Sequence, residues 1–380
     1  MKICILTPKF PPDIGGLSIS VSRFVNILSQ DGNEVIVIVP DKSLIFHEKR
    51  STYFPCDNNG SLKIVRFGVS DKETLTKQFC FEICCELAPF DLIHGFYLSI
   101  MGFTTVFSAR YLNIPSIVSA RGNDIDRDIF DNNKHANILW TIENATAITS
   151  NTKDIIKKIN SLVPNKKVFY TPNSVNTDIF KVKNKSKEII KQFEFNIKEP
   201  LIGFVGECRL KKGLPTLLES LKILKKKYNN IQFILLGGIR KSDEKLFEIF
   251  LKQNPELIKN IKIIPYQKHE LLPDFYNLFD LVILPSYQDG LPNTLLEAMS
   301  CEKIVIGTSV GGIKDIIKNM ETGILIPPYQ TEKLVQAIDN VLSDKDNMNI
   351  IGKKARNYII SNHSFQHELE SFKRCYDFVT

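Results

Sequence analysis

The stretch Leu201 to Ser220, LIGFVGECRLKKGLPTLLES, decides how the chain is read. Leu201 to Val205 is an apolar run of strand length, and Gly206 ends it. Leu214, Leu217, Leu218, Leu221 and Leu224 then recur at helical spacing. A buried strand followed at once by an amphipathic helix is the repeating unit of a parallel sheet covered on both faces. Toward the C-terminus the unit repeats, with predicted strands at Ile231 to Leu236, Ile261 to Ile264, Leu281 to Leu284, Ile304 to Ile306 and Ile324 to Ile326. Toward the N-terminus a separate series runs through Ile3 to Leu6, Val35 to Val39, Leu62 to Phe67, Leu92-Ile93, Ile117-Val118 and Ala147 to Thr149. Two such series predict an α/β chain with two Rossmann-like domains, residues 1–172 and 200–361. Any ligand is expected where the carboxyl ends of the two sets of strands face each other across a cleft. Residues 173–199, rich in Asn, Lys and Ser, are predicted to be an inter-domain connection, exposed in its middle and including the start of a helix. The end of the chain, from about Asn347, is helical.

Composition narrows the classes. At 380 residues the chain is long for one compact domain and comfortable for two. Hydrophobic residues at 43% and charged residues at 24% exclude disorder as the dominant state. The net charge of +7 is mild. It suits anionic small molecules or an anionic membrane surface and does not call for nucleic acid. The eight cysteines are scattered without a CxxC pair, which suits reduced thiols in a cytoplasmic protein. MKICILTPKFPP reads as a first strand and not as a signal peptide. No run of 18 apolar residues occurs.

Four segments could carry chemistry. Gly15-Gly16 follows the first strand and precedes a helix, so the backbone can come close to an anion or a sugar hydroxyl, or simply turn. GxGxxG is absent, which argues against a nicotinamide dinucleotide. Gly206 to Gly213 sits between the first strand and first helix of the second domain. There Arg209 and Lys212 could flank one diphosphate, as a planar fork and a point charge; a basic surface turn is the alternative. In Pro285 to Glu297, PSYQDGLPNTLLE, Gly290 and Pro292 force a turn and Asn293 suits a helix N-cap. The amides near Asn293, Thr294 and Leu295 could receive phosphate oxygens. Asp289 and Glu297 could address a sugar ring and a ribose diol, while Thr294-x-x-Glu297 equally spells a capping box. Gly311-Gly312 repeats the glycine pair ahead of a helix.

Together, FPPDIGG, VSARGNDIDRDIF, TPNSVNTDIF, GECRLKKGLPTLLES, LPSYQDGLPNTLLEAMS and GTSVGGIKDII make the chain resemble the retaining glycosyltransferases of the GT-B fold, specifically family 4. The resemblance spans nearly the whole length. It implies a nucleotide-sugar donor, UDP- or GDP-linked, bound mainly by the second domain and engaged by Gly15, Gly16, Gly206 and Gly290. Arg209 and Lys212 would hold its diphosphate, Glu297 its ribose and Asp289 the donor sugar, while Tyr266 would lie beside the nucleobase. Asp289 replaces the family's usual Glu. His94 in DLIHGFY matches a common family His and counts as a catalytic candidate, with a satisfied histidine beside a strand end as the alternative. Arg121 stands where many relatives have another His, so Arg121, Asn123 and Asp124 are assigned to the acceptor, with Arg121 free to contact phosphate or hydroxyls. The helix over 362–380 is expected to return to the first domain.

Asp124-x-Asp126 and Asp126-x-Asp128 spell DxD, but an N-capping or acceptor-binding loop is expected there, and no essential metal. The implied activity is a hexosyltransferase-type transfer with retained anomeric configuration and domain closure. It would serve a bacterial surface glycan such as a capsule, O-antigen or exopolysaccharide, with a glycan or polyprenyl-diphosphate-linked acceptor. Lys157, Lys158, Lys166 and Lys167 could touch an anionic membrane or form a solvated face. The rival readings are a nucleotide-sugar 2-epimerase on the same scaffold and a non-catalytic nucleotide-sugar-binding protein.

Overall fold

A computed structural model describes residues 1–56 and 60–380, without the side chains of 345–347. The chain forms two compact units, residues 1–173 with 365–380, and residues 174–364.

The first unit is built on eight strands: β1 (Lys2–Leu6), β2 (Glu34–Phe46), β3 (Lys49–Pro55), β4 (Ser61–Gly68), β5 (Leu92–Phe96), β6 (Ser116–Ala120), β7 (Ala147–Ser150) and β8 (Val168–Tyr170). Their order is β3-β4-β2-β1-β5-β6-β7-β8. Every pairing is parallel except β3 with β4. β1, β5 and β6 are buried along almost their whole length because helices cover both faces. The helix Phe365–Val379 belongs to this unit and lays Phe372 against Phe24, ring centroids 4.1 Å apart. Beside it, Glu368 receives Nε–H and Nη2–H of Arg23 at 2.7 and 3.0 Å.

The second unit has six strands, all parallel: β9 (Leu201–Val205), β10 (Gln232–Leu236), β11 (Ile261–Ile264), β12 (Leu281–Leu284), β13 (Ile304–Thr308) and β14 (Ile324–Ile326). Their order, β11-β10-β9-β12-β13-β14, is the doubly wound order whose direction reverses between the first and fourth strands. The crevice beyond the carboxyl ends of β9 and β12 is therefore where this fold places a ligand.

In residues 173–199 the expected helix forms at Lys187–Gln192 and the middle, 181–185, is exposed, but the connection is also pinned at four points. Val175, Phe180, Ile189 and Phe195 are buried in the second unit's core. The Phe180 carbonyl accepts from Ser300 Oγ and from Arg356 Nη1 at 2.5 and 3.1 Å. Widely spaced apolar side chains are anchored there while the lysines between them face water. Among the described residues, no helix is long and apolar enough to cross a membrane.

Candidate active site

In the second unit three loops converge at the strand reversal. The loop after β9 makes a short turn, Leu210–Lys212, and ends on Gly213 at φ +82° before the helix Leu214–Leu224. A side chain at Gly213 would fall 1.9 Å from the Pro285 carbonyl oxygen, so only glycine lets this loop lie on the loop after β12. The Tyr287 amide then donates to the Lys211 carbonyl at 2.9 Å. The loop after β13 closes the group. Gly311, φ +47°, brings its Cα against the Asp289 carbonyl, where a Cβ would sit 1.7 Å away, and the Gly312 amide donates to Gly290 at 2.9 Å. The two glycine turns thus juxtapose the cations of one loop with the acid of the other.

Lys212 Nζ is paired with Asp289 Oδ2, which also accepts from Ser286 Oγ at 3.2 Å. Arg209 is less satisfied. Its Nη1 lies 3.6 Å from Glu207, whose Oε2 is already gripped by Arg240 Nε and Nη2 at 2.9 and 2.5 Å. Arg209 Nε is sealed from solvent and has no hydrogen-bond partner. Burial, and next the Arg240 charge, lower the Arg209 pKa. An anion arriving here would relieve both costs.

Glu297 is buried, only 3% exposed. Its Oε2 accepts from Tyr276 OH at 2.8 Å, and its Oε1 lies 2.9 Å from His269 Nε2. Burial, together with this carboxylate, pushes the Tyr276 hydroxyl well above its ordinary pKa, so it stays a donor. The capping-box alternative does not hold: Pro292 caps the helix Asn293–Ser300, no side chain caps it, and Asn293 is its first residue. A carboxylate has more than two lone-pair directions, so Glu297 keeps capacity for a ribose hydroxyl. Leu295 offers less than expected, because its amide donates to the Pro292 carbonyl at 3.1 Å and its side chain is core. Tyr266 stands 53% exposed just beyond the edge strand β11. Ser286, His269 and Tyr276 were not singled out by sequence. Ser286 had one available signal, its place two residues after a buried strand and three residues before Asp289.

In the first unit, the spaces beside Gly15 and Gly16 are open: a Cβ added at either would meet no heavy atom within 4 Å, and the same is true of Gly206 in the second unit. Arg121 follows β6. Its Nη1 donates to Asn173 Oδ1 at 3.1 Å, and its guanidinium carbon lies 4.8 Å from the Phe96 ring centroid. Nε and Nη2 have no partner and are closed to solvent. Burial lowers the Arg121 pKa to about 10, which still leaves a cation at neutral pH.

Two expectations in this unit are corrected. His94, a catalytic candidate, is wholly buried, with Nδ1 2.8 Å from Tyr376 OH and Nε2 2.9 Å from Ser119 Oγ. Burial, and secondarily Arg121, hold its pKa well below the ordinary histidine range. A neutral imidazole with both nitrogens engaged in the core is structural. Asp124, expected at the acceptor, is also fully buried and accepts the amides of Leu98, Arg121 and Gly122 at 2.8–3.2 Å. It ties the loop after β6 to that after β5. Asn123 opens the short helix Asn123–Asp126 beside it.

The other DxD acids are paired separately, Asp126 with Lys158 and Asp128 with Arg127. Among the described residues, no three His, Cys, Asp or Glu side chains are placed to hold a metal ion. The basic stretch proposed for a membrane is largely engaged within the unit. Lys158 bridges Asp126 and Asp154, Lys166 donates to the Glu143 and Ala145 carbonyls, and Lys167 lies over Phe169 and Phe378.

Comparison with known proteins bears on both units. Residues 185–358 match the family model of the glycosyl transferases group 1, and residues 14–179 match that of glycosyltransferase family 4. The chain is 29% identical over 176 residues to the capsular polysaccharide biosynthesis glycosyltransferase CapM of Staphylococcus aureus, a match covering 45% of each protein. The matched stretch is thus less than half of that relative's length. It is 23% identical over 291 residues to the lipopolysaccharide 1,2-N-acetylglucosaminetransferase of Salmonella typhimurium, covering 70% of this chain and 76% of the relative. The crystal structure of Anabaena Alr3699/HepE in complex with UDP-glucose superposes with a TM-score of 0.78 at 14% identity, covering 99% of this chain and 100% of that one. This last likeness concerns the fold.

Proposed function

We propose that this chain, which belongs to the GT-B glycosyltransferases, moves a sugar from a nucleoside diphosphate to a hydroxyl of an anchored or growing glycan, with retention of anomeric configuration. The observation that carries the donor assignment is the position of Arg209 and Lys212 at the strand reversal of the second unit, with one guanidinium N–H sealed and unpartnered. Negative charge builds on the diphosphate as the glycosidic bond breaks. Fixed cations in a sheltered loop cluster stabilise that charge without reorganising, and removing one such contact costs about 10²–10³ in turnover. Lys212 would exchange Asp289 for a phosphate oxygen, leaving Asp289 to face the donor sugar. Glu297, steadied by Tyr276 and His269, would receive the ribose hydroxyls.

The departing phosphate would take the proton of the attacking hydroxyl on the same face, so no separate protein base is assigned. The two cations serve the role a divalent metal fills elsewhere, and chelation with EDTA is expected to leave turnover unchanged. The UDP-glucose held by HepE supports a UDP-sugar as the first donor to try, with GDP-sugars next. The capsular and lipopolysaccharide relatives support an acceptor from the bacterial surface, either a soluble glycan or a polyprenyl diphosphate-linked one.

The test follows nucleoside diphosphate release from a panel of UDP- and GDP-sugars, with and without such acceptors, and reads the product's anomeric coupling by NMR. Acceptor-dependent release with the donor's configuration kept is the expected result. Donor epimerised without acceptor would replace the transferase with an isomerase. Donor bound but neither transferred nor hydrolysed would leave a sensor.

A further inference from the structure

The first unit contains two arginines whose surroundings can be compared directly. Arg23 presents the Nε–H and Nη2–H edge of its guanidinium to Glu368 and is held bidentately at 2.7 and 3.0 Å. Arg121 has the same edge, and on it nothing is bound: Nε and Nη2 are the two atoms without a partner. Its other groups are occupied. Nη1 is fixed by Asn173, which Ser20 Oγ also approaches at 3.4 Å, and the planar face lies over Phe96. The guanidinium is therefore oriented, with one bidentate edge left over.

The carboxylates that could have neutralised it are engaged elsewhere. Glu368 is taken by Arg23. Asp124 is taken by three backbone amides. Among the described residues no carboxylate lies within ion-pair distance of Arg121. A ring face attracts the cation without neutralising it. A buried charge with two unmet donors is costly, and a structural arginine would be expected to have a partner of the kind Arg23 has. The residue as a whole is of intermediate exposure, although Nε and Nη2 themselves are closed to solvent, so an incoming oxyanion has to displace the groups that cover that edge. Two parallel N–H groups match the two oxygens of one carboxylate or phosphate.

We propose that Arg121 seats an oxyanion of the acceptor, so that the sugar accepting the transferred residue is itself anionic, a phosphorylated sugar or a uronic acid. This rests on the transferase reading for the word acceptor; the seat itself rests on the geometry of Arg121.

Calorimetric titration of the full chain with glucose 6-phosphate, glucuronate and glucose tests it, in the wild type and in Arg121→Gln and Arg121→Lys. One or both anionic sugars are expected to bind at least about tenfold more tightly than glucose. Arg121→Gln should abolish that preference, and Arg121→Lys, a charge without a fork, should restore only part of it. Comparing the two anions tells a phosphate from a carboxylate. Titration with UDP runs alongside and should be unchanged in both variants, so a failure of the donor site is read separately. Thermal unfolding without ligand reports whether each variant folds; if Arg121→Gln does not, Arg121→Lys carries the comparison. Equal binding of glucose, no binding of either anionic sugar, or an anion preference that survives in Arg121→Gln would overturn the proposal. A preference that appears only between UDP-glucuronate and UDP-glucose, and vanishes in Arg121→Gln, would overturn the assignment to the acceptor.

Discussion

At the carboxyl end of the second sheet the cations have acids within reach. Lys212 pairs with Asp289, Arg240 with Glu207, and Arg209 shares Glu207 at a longer distance. At the carboxyl end of the first sheet Arg121 has an amide and an aromatic face, and no acid. Both ends belong to sheets built mainly of parallel strands, so the difference lies in the loops. In the second unit, glycines at positive φ pull three loops together and supply the countercharges from within the cluster. A ligand there exchanges partners with groups already paired. In the first unit a single oriented edge is left without a partner. The first arrangement suits a ligand that must be bound and then released as a leaving group. The second suits recognition of a fixed charge.

The contrast can be attacked most forcefully at the loops. Gly213→Ala places a Cβ into the Pro285 carbonyl at a left-handed backbone position. It should destabilise the protein by about 3 kcal/mol and weaken UDP binding with it. Gly16→Ala, which meets open space at the helix start, should stay within about 0.5 kcal/mol of the wild type. Urea unfolding of both variants checks the contrast, and equal losses would mean that loop convergence is not specific to the second unit.

The next effect is electrostatic and belongs to the first unit's core. The His94 pKa in the fold lies below its unfolded value near 6.5, so the unfolded chain binds the proton first and stability falls as pH drops below 6.5. Asp124 acts in the opposite sense. Its folded pKa is raised by burial to about 6, above the unfolded value, so its contribution grows as pH falls through that region. Comparison with His94→Gln isolates the histidine. Between pH 7.5 and 5.5 the wild type should lose about 1.4 kcal/mol more than this variant, measured by urea unfolding. A smaller loss in the wild type would return His94 to a solvated, titrating role.

Asp289→Asn probes the exchange of partners in the second unit. Freed from its acid, Lys212 should bind UDP about threefold to tenfold more tightly, the scale of a partly exposed ion pair. Transfer should fall, because the carboxylate assigned to the donor sugar is gone. Weaker UDP binding on titration would show that Asp289 positions Lys212 instead of competing for it.

Much of this was legible in the chain. Short apolar runs such as Leu201 to Val205 announced nearly every buried strand. Loops at strand ends, with their glycines, marked where cations and acids would meet. Strand β3 was not legible, since KRSTYFP is exposed along its whole length and carries no burial pattern. In residues 173–199 the anchoring was not legible because four buried side chains are spread among lysines. Inside the sites, the partners of the side chains were not legible. His94 is satisfied by a tyrosine 282 positions away, and Arg23, not Arg121, takes a glutamate 345 positions from itself. Local spacing does not encode such pairings; the packing of the final helix onto the first sheet creates them. The Leu295 amide was lost to a local i+3 turn at Pro292, a detail of backbone geometry that residue types leave open.

The proposed donor site turns on a grip of Arg209 and Lys212 on a diphosphate, and its sharpest test is calorimetric titration of UDP into the full chain, with Arg209→Ala and Lys212→Ala measured beside it. Saturable binding by the wild type should weaken at least about tenfold in each folded variant. Binding that is undiminished in both variants would refute the grip.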